Sequence, residues 1–583
     1  MLSHTDQLKA AILAQNPTDQ QKDAIFSEDL EFLLRAAPGS GKTWTSCRRF
    51  IWRAANWPYA SGGLALLSFT NTAICEFKDA TVNIGRSELL SDPNYVGTFD
   101  SFVERYILAP FGHLLFKADR RPKLFTGPRP GDRNNKKLKV WVNSKKTPVM
   151  AWDIVPYLDD NNKNRFKTPK GSLLETNAAK GAVSALLSLG FYTHKQRVFW
   201  ACKLLIKFPH LAQVLARRFP EIIVDEAQDS NTWLIVLLNY LRNKGTKITL
   251  VGDPDQCIYE FAMADAASLL RLKEKWSIPE KPLSKSFRCN NQIAGAARNI
   301  GDNFNFIGCG DKADDMHGAF IVRDTSEAFE NSLRIFQRLA VQAGLAVNST
   351  AVLCRGHSQL NSLRGERKYT KLQGMTKKLA DAVFLRDSRH ELRGASNIVE
   401  EVLREITGDD PLWEHIDTKI DSRDKARMDL AVWRFVKNKN QFPPVSQIGD
   451  QWVSSVRAGF ENLIKDLDMQ AVKLGRRIRI NGLNKDEKTL PLFEAIEEFP
   501  AIRQDTIHQV KGESIDAVLT IGSSKFWNSV MTSVMDKKNT EDRRLAYVAM
   551  TRARHLLVVG LPETHFDKYY EMWKDWGFKI ADS

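Results

Sequence analysis

The sequence predicts an α/β protein with two parallel sheets flanked by helices, each sheet interrupted by an inserted, mostly helical segment. Three observations predict this. Short apolar runs alternate with helical patterns, as strands buried on both faces of a parallel sheet require. The runs fall into two groups, one before residue 254 and one after residue 315. Two long stretches, about 103–205 and about 366–500, fit neither group and lie between strands of one, as insertions would.

MLSHTDQLKAAILAQ reads as a short amphipathic helix. Phe32-Leu33-Leu34 is a strand that ends in a small-residue loop and opens into a helix from about Lys42. Leu64 to Thr70 is a second strand, followed by a helical pattern through Ala80. EIIVDEA and KITLVGD are apolar strands ending in acidic residues, and GAFIVRD, TAVLCRG, AVLTIG and HLLVVGL supply the second group. The resulting domains are 1–102 with 206–280 as a first core, 103–205 as its insertion, 281–365 with 501–583 as a second core, and 366–500 as its insertion.

At 583 residues the chain exceeds what one hydrophobic core supports, so several domains are expected. An apolar share of 43% and a charged share of 26% are those of an ordinary globular protein. No run of about 18 apolar residues suggests a membrane span, and the N-terminus lacks a signal-peptide pattern, so a cytoplasmic protein without a membrane partner is expected. None of the seven cysteines forms a C-x-x-C pair, which argues against a zinc ribbon or a disulfide framework. A net charge of +15 points to a polyanionic partner, since each neutralised phosphate releases counterions.

Ala36-Ala37-Pro38-Gly39-Ser40-Gly41-Lys42-Thr43 is a P-loop between a strand and a helix. Its small residues let backbone N–H groups turn inward around phosphates, and the helix N-terminus adds its dipole. Lys42 would reach the β- and γ-phosphates of ATP, and Thr43 would ligate Mg²⁺. Asp225-Glu226 follows the strand Ile222-Ile223-Val224. At a strand tip Asp225 would hold Mg²⁺, and Glu226 would orient and deprotonate the attacking water.

Ordered blocks from about residue 16 to 560 then resemble the UvrD/Rep/PcrA group of superfamily 1A helicases. Thr18-Asp19-Gln20-Gln21 resembles the adenine-recognising Q motif. SFTNTAICEF (68–77) and GTFDSF (97–102) resemble motifs Ia and Ib. VDEAQD (224–229), VGDPDQCIYEF (251–261), LSKSFRC (283–289), TIHQVKGE (506–513) and EDRRLAYVAMTRAR (541–554) resemble motifs II to VI.

The resemblance implies two RecA-like P-loop NTPase cores and a DNA-stimulated ATPase that moves 3′→5′ on single-stranded DNA and at single-strand/duplex junctions. It places the work in DNA repair, recombination or anti-phage defence. Gln21 would read adenine and Phe287 would stack on it, where many relatives have Tyr. Gln256 would sense the γ-phosphate, and Arg288 and Arg552 would reach it from the second core. Phe69, Thr70, Asn71, Thr98, Phe99, Tyr259, Phe261 and His508 match positions that touch DNA in relatives, His508 as a backbone or coupling contact.

Several positions depart from the family pattern. Phe261-Ala262 stands where relatives often have Trp-Arg, Asp100 replaces a frequent histidine, and K-G-E-S replaces K-G-L-E. The last change leaves Glu513 or Ser514 as the ribose contact. The basic segment from Lys117 to Lys146 is either a DNA-contacting patch or a solvated loop. The second insertion is shorter than expected of a full-length relative. An alternative reading is therefore an ATP-dependent DNA sensor that activates a partner nuclease with little unwinding of its own, as UvrD-like subunits do in phage-defence complexes such as Gabija. A helicase–nuclease fusion is not expected, because only about thirty residues follow motif VI.

Overall fold

The computed structural model describes residues 3–581 except 117–121, 126–134, 142–147, 160, 162, 170, 259–265, 302–304, 311–316, 326–328, 357–358, 361–362, 364–373, 389–391, 409, 419–422, 445–449, 471–473 and 480–501. Two six-stranded parallel sheets organise it. The first contains β1 (Leu33–Ala36), β2 (Leu64–Ser68), β3 (Tyr95–Thr98), β4 (Glu221–Val224), β5 (Lys247–Gly252) and β6 (Glu280–Leu283), in the order β6-β1-β5-β4-β2-β3. The second contains β7 (Gly318–Asp324), β8 (Thr350–Cys354), β9 (Arg503–Thr506), β10 (Ile515–Ile521), β11 (Ala553–Pro562) and β12 (Lys579–Ile580), in the order β9-β8-β10-β11-β7-β12.

The period of two along each strand sends alternate side chains to opposite faces of the first sheet. Leu33, Leu67, Ile222, Val224 and Leu250 join one hydrophobic cluster, with the helix Thr232–Arg242. Their neighbours Leu34, Leu64, Leu66, Ile223 and Val251 join another, with the helices Asp19–Phe26 and Lys42–Ala55. Full burial of one such aliphatic side chain contributes about 1.5–3 kcal/mol, so both faces hold their helices. Thr70 caps the helix Asn71–Asn83 and Asn231 caps Thr232–Arg242, each accepting a backbone N–H that the helix leaves unpaired.

The first insertion joins the same hydrophobic cluster as one face of β1–β5, through Ala179, Val183, Leu186, Phe199 and Leu204. The helices Thr176–Ser188 and Arg197–Lys207 carry it, beside three two-stranded sheets. Most of the basic segment 117–146 lies outside the described residues. Gly356–Ile502 separates as a second compact unit. It is helical, with Val399, Val402, Leu403, Val432, Phe435, Val456 and Phe460 forming a core of its own. No single helix among the described residues is long and apolar enough to cross a membrane.

The second sheet is packed by Phe526, Trp527, Val530, Tyr547 and Trp573. Among them His565 is 1% exposed. It is held as neutral imidazole: its Nδ1 donates to Asn528 Oδ1 at 2.9 Å, and its Nε2 accepts from Trp573 Nε1 at 3.3 Å. Burial, helped by the nearby Lys568 charge, lowers its pKa from 6.5 to about 4. A base with a depressed folded-state pKa protonates first in the unfolded chain. Its stabilisation is therefore present above pH 6.5 and lost as pH falls toward 4. Wild type should lose roughly 3 kcal/mol more stability than His565→Gln between pH 7 and pH 4, as read by urea unfolding. A difference between the two proteins that does not change with pH would contradict the neutral assignment.

Candidate active site and DNA track

Four strand ends build the site. The P-loop follows β1, Asp225 and Glu226 follow β4, Asp253 follows β5, and the segment 284–288 follows β6. Because β6, β1, β5 and β4 are consecutive in the sheet, their C-terminal ends lie side by side, where α/β sheets bind ligands. Gly39 and Gly41 have φ of +72° and +78°, the left-handed backbone that a phosphate-wrapping loop needs. A Cβ on Gly39 would lie 2.5 Å from Arg288 Cβ and 2.7 Å from Ser286 Oγ. The P-loop is thus packed directly against the chain leading into the second core. Phe287 N donates to Gly39 O at 2.7 Å, and Ser286 Oγ donates to Pro38 O at 2.8 Å.

Lys42 Nζ donates to Glu226 Oε2 at 2.7 Å. Burial opposes the charge of each, yet the pair prevails: Glu226 and Asp225 raise the Lys42 pKa, and Lys42 with Lys511 draws Glu226 down to about 2. Glu226 is therefore held in its ionised form. Its backbone is left-handed at φ +53°, a conformation non-glycine residues rarely adopt. Gln228 Nε2 donates to Glu226, and Gln228 Oε1 accepts from Asp253 N at 3.2 Å.

Asp225 is fully buried, and neither carboxylate oxygen has a hydrogen-bond partner. Burial, reinforced by the Glu226 charge, raises its pKa to about 7. A bare buried carboxylate is costly, and a hard divalent cation is the natural compensation. Thr43 follows Lys42 at the start of the helix Lys42–Ala55, and Lys42 is ion-paired with Glu226, the neighbour of Asp225, so a hydroxyl and a bare carboxylate of the kind that suits Mg²⁺ come from adjoining segments. Ser40, also buried, has an Oγ without a partner in the P-loop.

Across from these groups stand the arginines of the second core. Arg552 Nη2 donates to Gln256 Oε1 at 3.2 Å, and Gln256 Nε2 donates to Asp253 Oδ2 at 2.7 Å. A continuous chain of hydrogen bonds thus runs from the second core to the tip of β5. Arg288 donates to Ser514 Oγ at 2.7 Å and to the carbonyls of Thr551 and Gly512 at 3.2 Å each. Burial lowers the pKa of both guanidiniums, and Arg288 adds like-charge repulsion to Arg552. Arg552 is buried and Arg288 half-buried, and two neighbouring cations that disfavour each other are suited to a polyanion.

Gln21 accepts from Thr18 N at 2.9 Å and donates to Ser40 O at 3.1 Å, tying the start of the helix Asp19–Phe26 to the P-loop. Phe287 is 50% exposed, with the Lys285 ammonium over its ring, 5.9 Å from the centroid. Glu513 is turned elsewhere. Its carboxylate is bidentate to Arg503 at 2.6 and 2.9 Å, while its carbonyl accepts from Arg552 at 3.3 Å. Its side chain is therefore already committed, and Ser514 is bonded to Arg288.

The strands β2 and β3 are paired through Ser68 and Thr98, which sets motifs Ia and Ib side by side. Thr70 and Asn71 are exposed, Thr98 is half-buried, and Thr70 and Thr98 each cap a helix. Phe99 does not fit its expected role. Its ring is 4% exposed and packs against Phe69 with centroids 5.0 Å apart, so it supports Phe69 from within and presents no face to a base. His508 Nε2 donates to Ile258 O at 3.1 Å, a contact between the two cores. Tyr259, Phe261 and Ala262 lie outside the described residues.

The model of the UvrD/REP helicase N-terminal domain matches residues 17–277, and that of the UvrD-like helicase C-terminal domain matches residues 432–564. The chain belongs to the UvrD/Rep/PcrA-like helicases. Among the relatives of this UvrD-like helicase, DNA helicase II of Escherichia coli K12 is 23% identical, the alignment covering 96% of this chain and 86% of that one. ATP-dependent DNA helicase PcrA of Staphylococcus epidermidis is 22% identical, covering 94% and 83%.

Sequence reasoning passed over several residues that this UvrD-like site uses. Asp253 ends its strand in the same way as Asp225, a signal that was present. Ser286, Asp229 and Lys511 act through contacts distant in sequence, and Gln228 joins its neighbour Glu226 to Asp253. Arg544 is buried and donates to Cys257 O, adding another bond between the cores.

Proposed function

We propose that this ATP-dependent DNA helicase translocates 3′→5′ along single-stranded DNA. ATP would be held between Lys42 on the first core and Arg288 and Arg552 on the second. The observation that carries this reading is the Arg552–Gln256 hydrogen bond, which brings a guanidinium of the second core to the motif III glutamine. Glu226 would take a proton from the attacking water at Oε1 or Oε2. Lys42, Arg288 and Arg552 would stabilise the charge that develops on the transferred phosphoryl group. Thr43 and Asp225 would hold Mg²⁺, which would supply positive charge against the phosphates when bound. Gln21 and Phe287 would orient adenine, and Gln256 would report the γ-phosphate to the tip of β5.

Phe69, Thr70, Asn71 and Thr98 would line the strand's path, with Tyr259 and Phe261 supplying sequence-tolerant stacking. The chain should unwind a duplex carrying a 3′ single-stranded tail and leave 5′-tailed and blunt duplexes intact. Unwinding from a 5′ tail alone would reverse the assigned direction.

A second reading, a DNA-sensing ATPase that activates a nuclease, draws on one feature of the track. Asp100 sets a carboxylate beside motif Ib, held by Arg197 at 2.8 Å, where a cationic or neutral group would grip phosphate better. ATP hydrolysis stimulated by DNA, without strand displacement by the isolated chain, would favour this reading.

A further inference from the structure

Lys511 of the second core donates to Asp229 of the first at 2.6 and 2.8 Å. Both side chains are at least nine-tenths buried, at 9% and 7% exposed. A buried ion pair gains little stability over an apolar one, because desolvation offsets most of the attraction. Its worth lies in the geometry it enforces, and the place of Asp229 indicates which geometry.

Asp229 closes the short turn Ala227–Asp229 that begins at Glu226. Asp229 N donates to Glu226 O at 2.9 Å. A left-handed glutamate persists only where its surroundings over-determine it. Within the first core the turn is held by this backbone bond, by Ser230 N donating to Ala227 O at 3.2 Å, and by Gln228 and Lys42 on the Glu226 carboxylate. Lys511 adds an anchor from the other core, at the far end of the turn.

We propose that Lys511 is a positioning residue: by gripping Asp229 across the interface, it holds the left-handed turn that presents Glu226 to the nucleotide. Glu226 is then aligned for water attack only while the cores are together. Hydrolysis is thereby tied to the closed arrangement by a second route, independent of the arginines. Lys511 lies three residues beyond His508, which touches Ile258, so a shift of this segment would be felt at motif III and at the base together. The inference rests on the reading of Glu226 as general base.

The test uses the full-length chain and single-turnover ATP hydrolysis with single-stranded DNA. Asp229→Asn and Lys511→Met should each slow hydrolysis by about tenfold to a hundredfold, with affinity for a non-hydrolysable ATP analogue changed less than about threefold. The charge-swapped double variant Asp229→Lys with Lys511→Asp should recover at least about tenfold of that loss, which guards against simple misfolding. In a Glu226→Gln background, Lys511→Met should add almost nothing, because the aligned group is already gone. Wild-type rates in the single variants, or an undiminished effect of Lys511→Met beside Glu226→Gln, would overturn the clamp. Wild-type hydrolysis by Glu226→Gln alone would instead overturn the base assignment.

Discussion

Arg552→Ala should lower the rate of ATP hydrolysis by about 10³-fold or more, the range of arginines that stabilise phosphoryl transfer in trans. The side chain is 1% exposed and ends at Gln256, so no solvent cation can take its place. Arg552→Lys should recover little. An ammonium cannot both bond Gln256 and fork onto a phosphate, and the carbonyls of Val548 and Glu513 that now accept from Arg552 would lose their partners. Steady-state kinetics with and without single-stranded DNA would check this. A change in kcat within about threefold would remove Arg552 from its assigned part.

Glu226→Gln should slow hydrolysis by about 10²–10⁴-fold while ATP still binds, since the proton acceptor and its ion pair with Lys42 are lost but the P-loop is unchanged. The amide is nearly isosteric, so Lys42 keeps an oxygen acceptor and the turn keeps its shape. An ATP analogue should bind with near wild-type affinity in fluorescence titration while phosphate release nearly stops. Equal turnover by the two proteins would exclude Glu226 as base. The two substitutions test opposite walls of one site, and their combined effect should fall well short of the product of the separate ones.

The strands that the sequence reveals are those buried on both faces. β1, β2, β4, β5, β7, β8, β10 and β11 are apolar runs, and each lies inside its sheet. The four that the pattern does not reveal, β3, β6, β9 and β12, are the four sheet edges. RQDT and KI carry charge, and EKPL carries a proline, as edges that must not recruit further strands do. Local periodicity reports burial, and an edge strand has too little of it.

A similar division runs through the site. The P-loop and Asp225-Glu226 are legible because one short segment holds all of the relevant chemistry. The Lys511–Asp229 pair joins residues 282 apart in sequence, and no spacing rule announces it. Phe99 shows the opposite failure. Its motif position marks it as a DNA contact, yet whether an aromatic ring faces solvent or core depends on neighbours such as Phe69, which sequence spacing does not specify.

The contact of Ser286 and Phe287 with the P-loop also has a mechanical meaning. The connection between the cores leaves β6, the strand beside β1, so the pivot for any relative rotation sits next to the phosphates. β3 lies four strand steps from β1, or ~19 Å at ~4.8 Å per step. A swing of about 10° at the pivot displaces whatever lies at that radius by about 3 Å, close to the ~3.4 Å rise of one nucleotide along a strand. Under the proposed translocation, a rotation of that size about the β6 connection would be enough for a stride of one base.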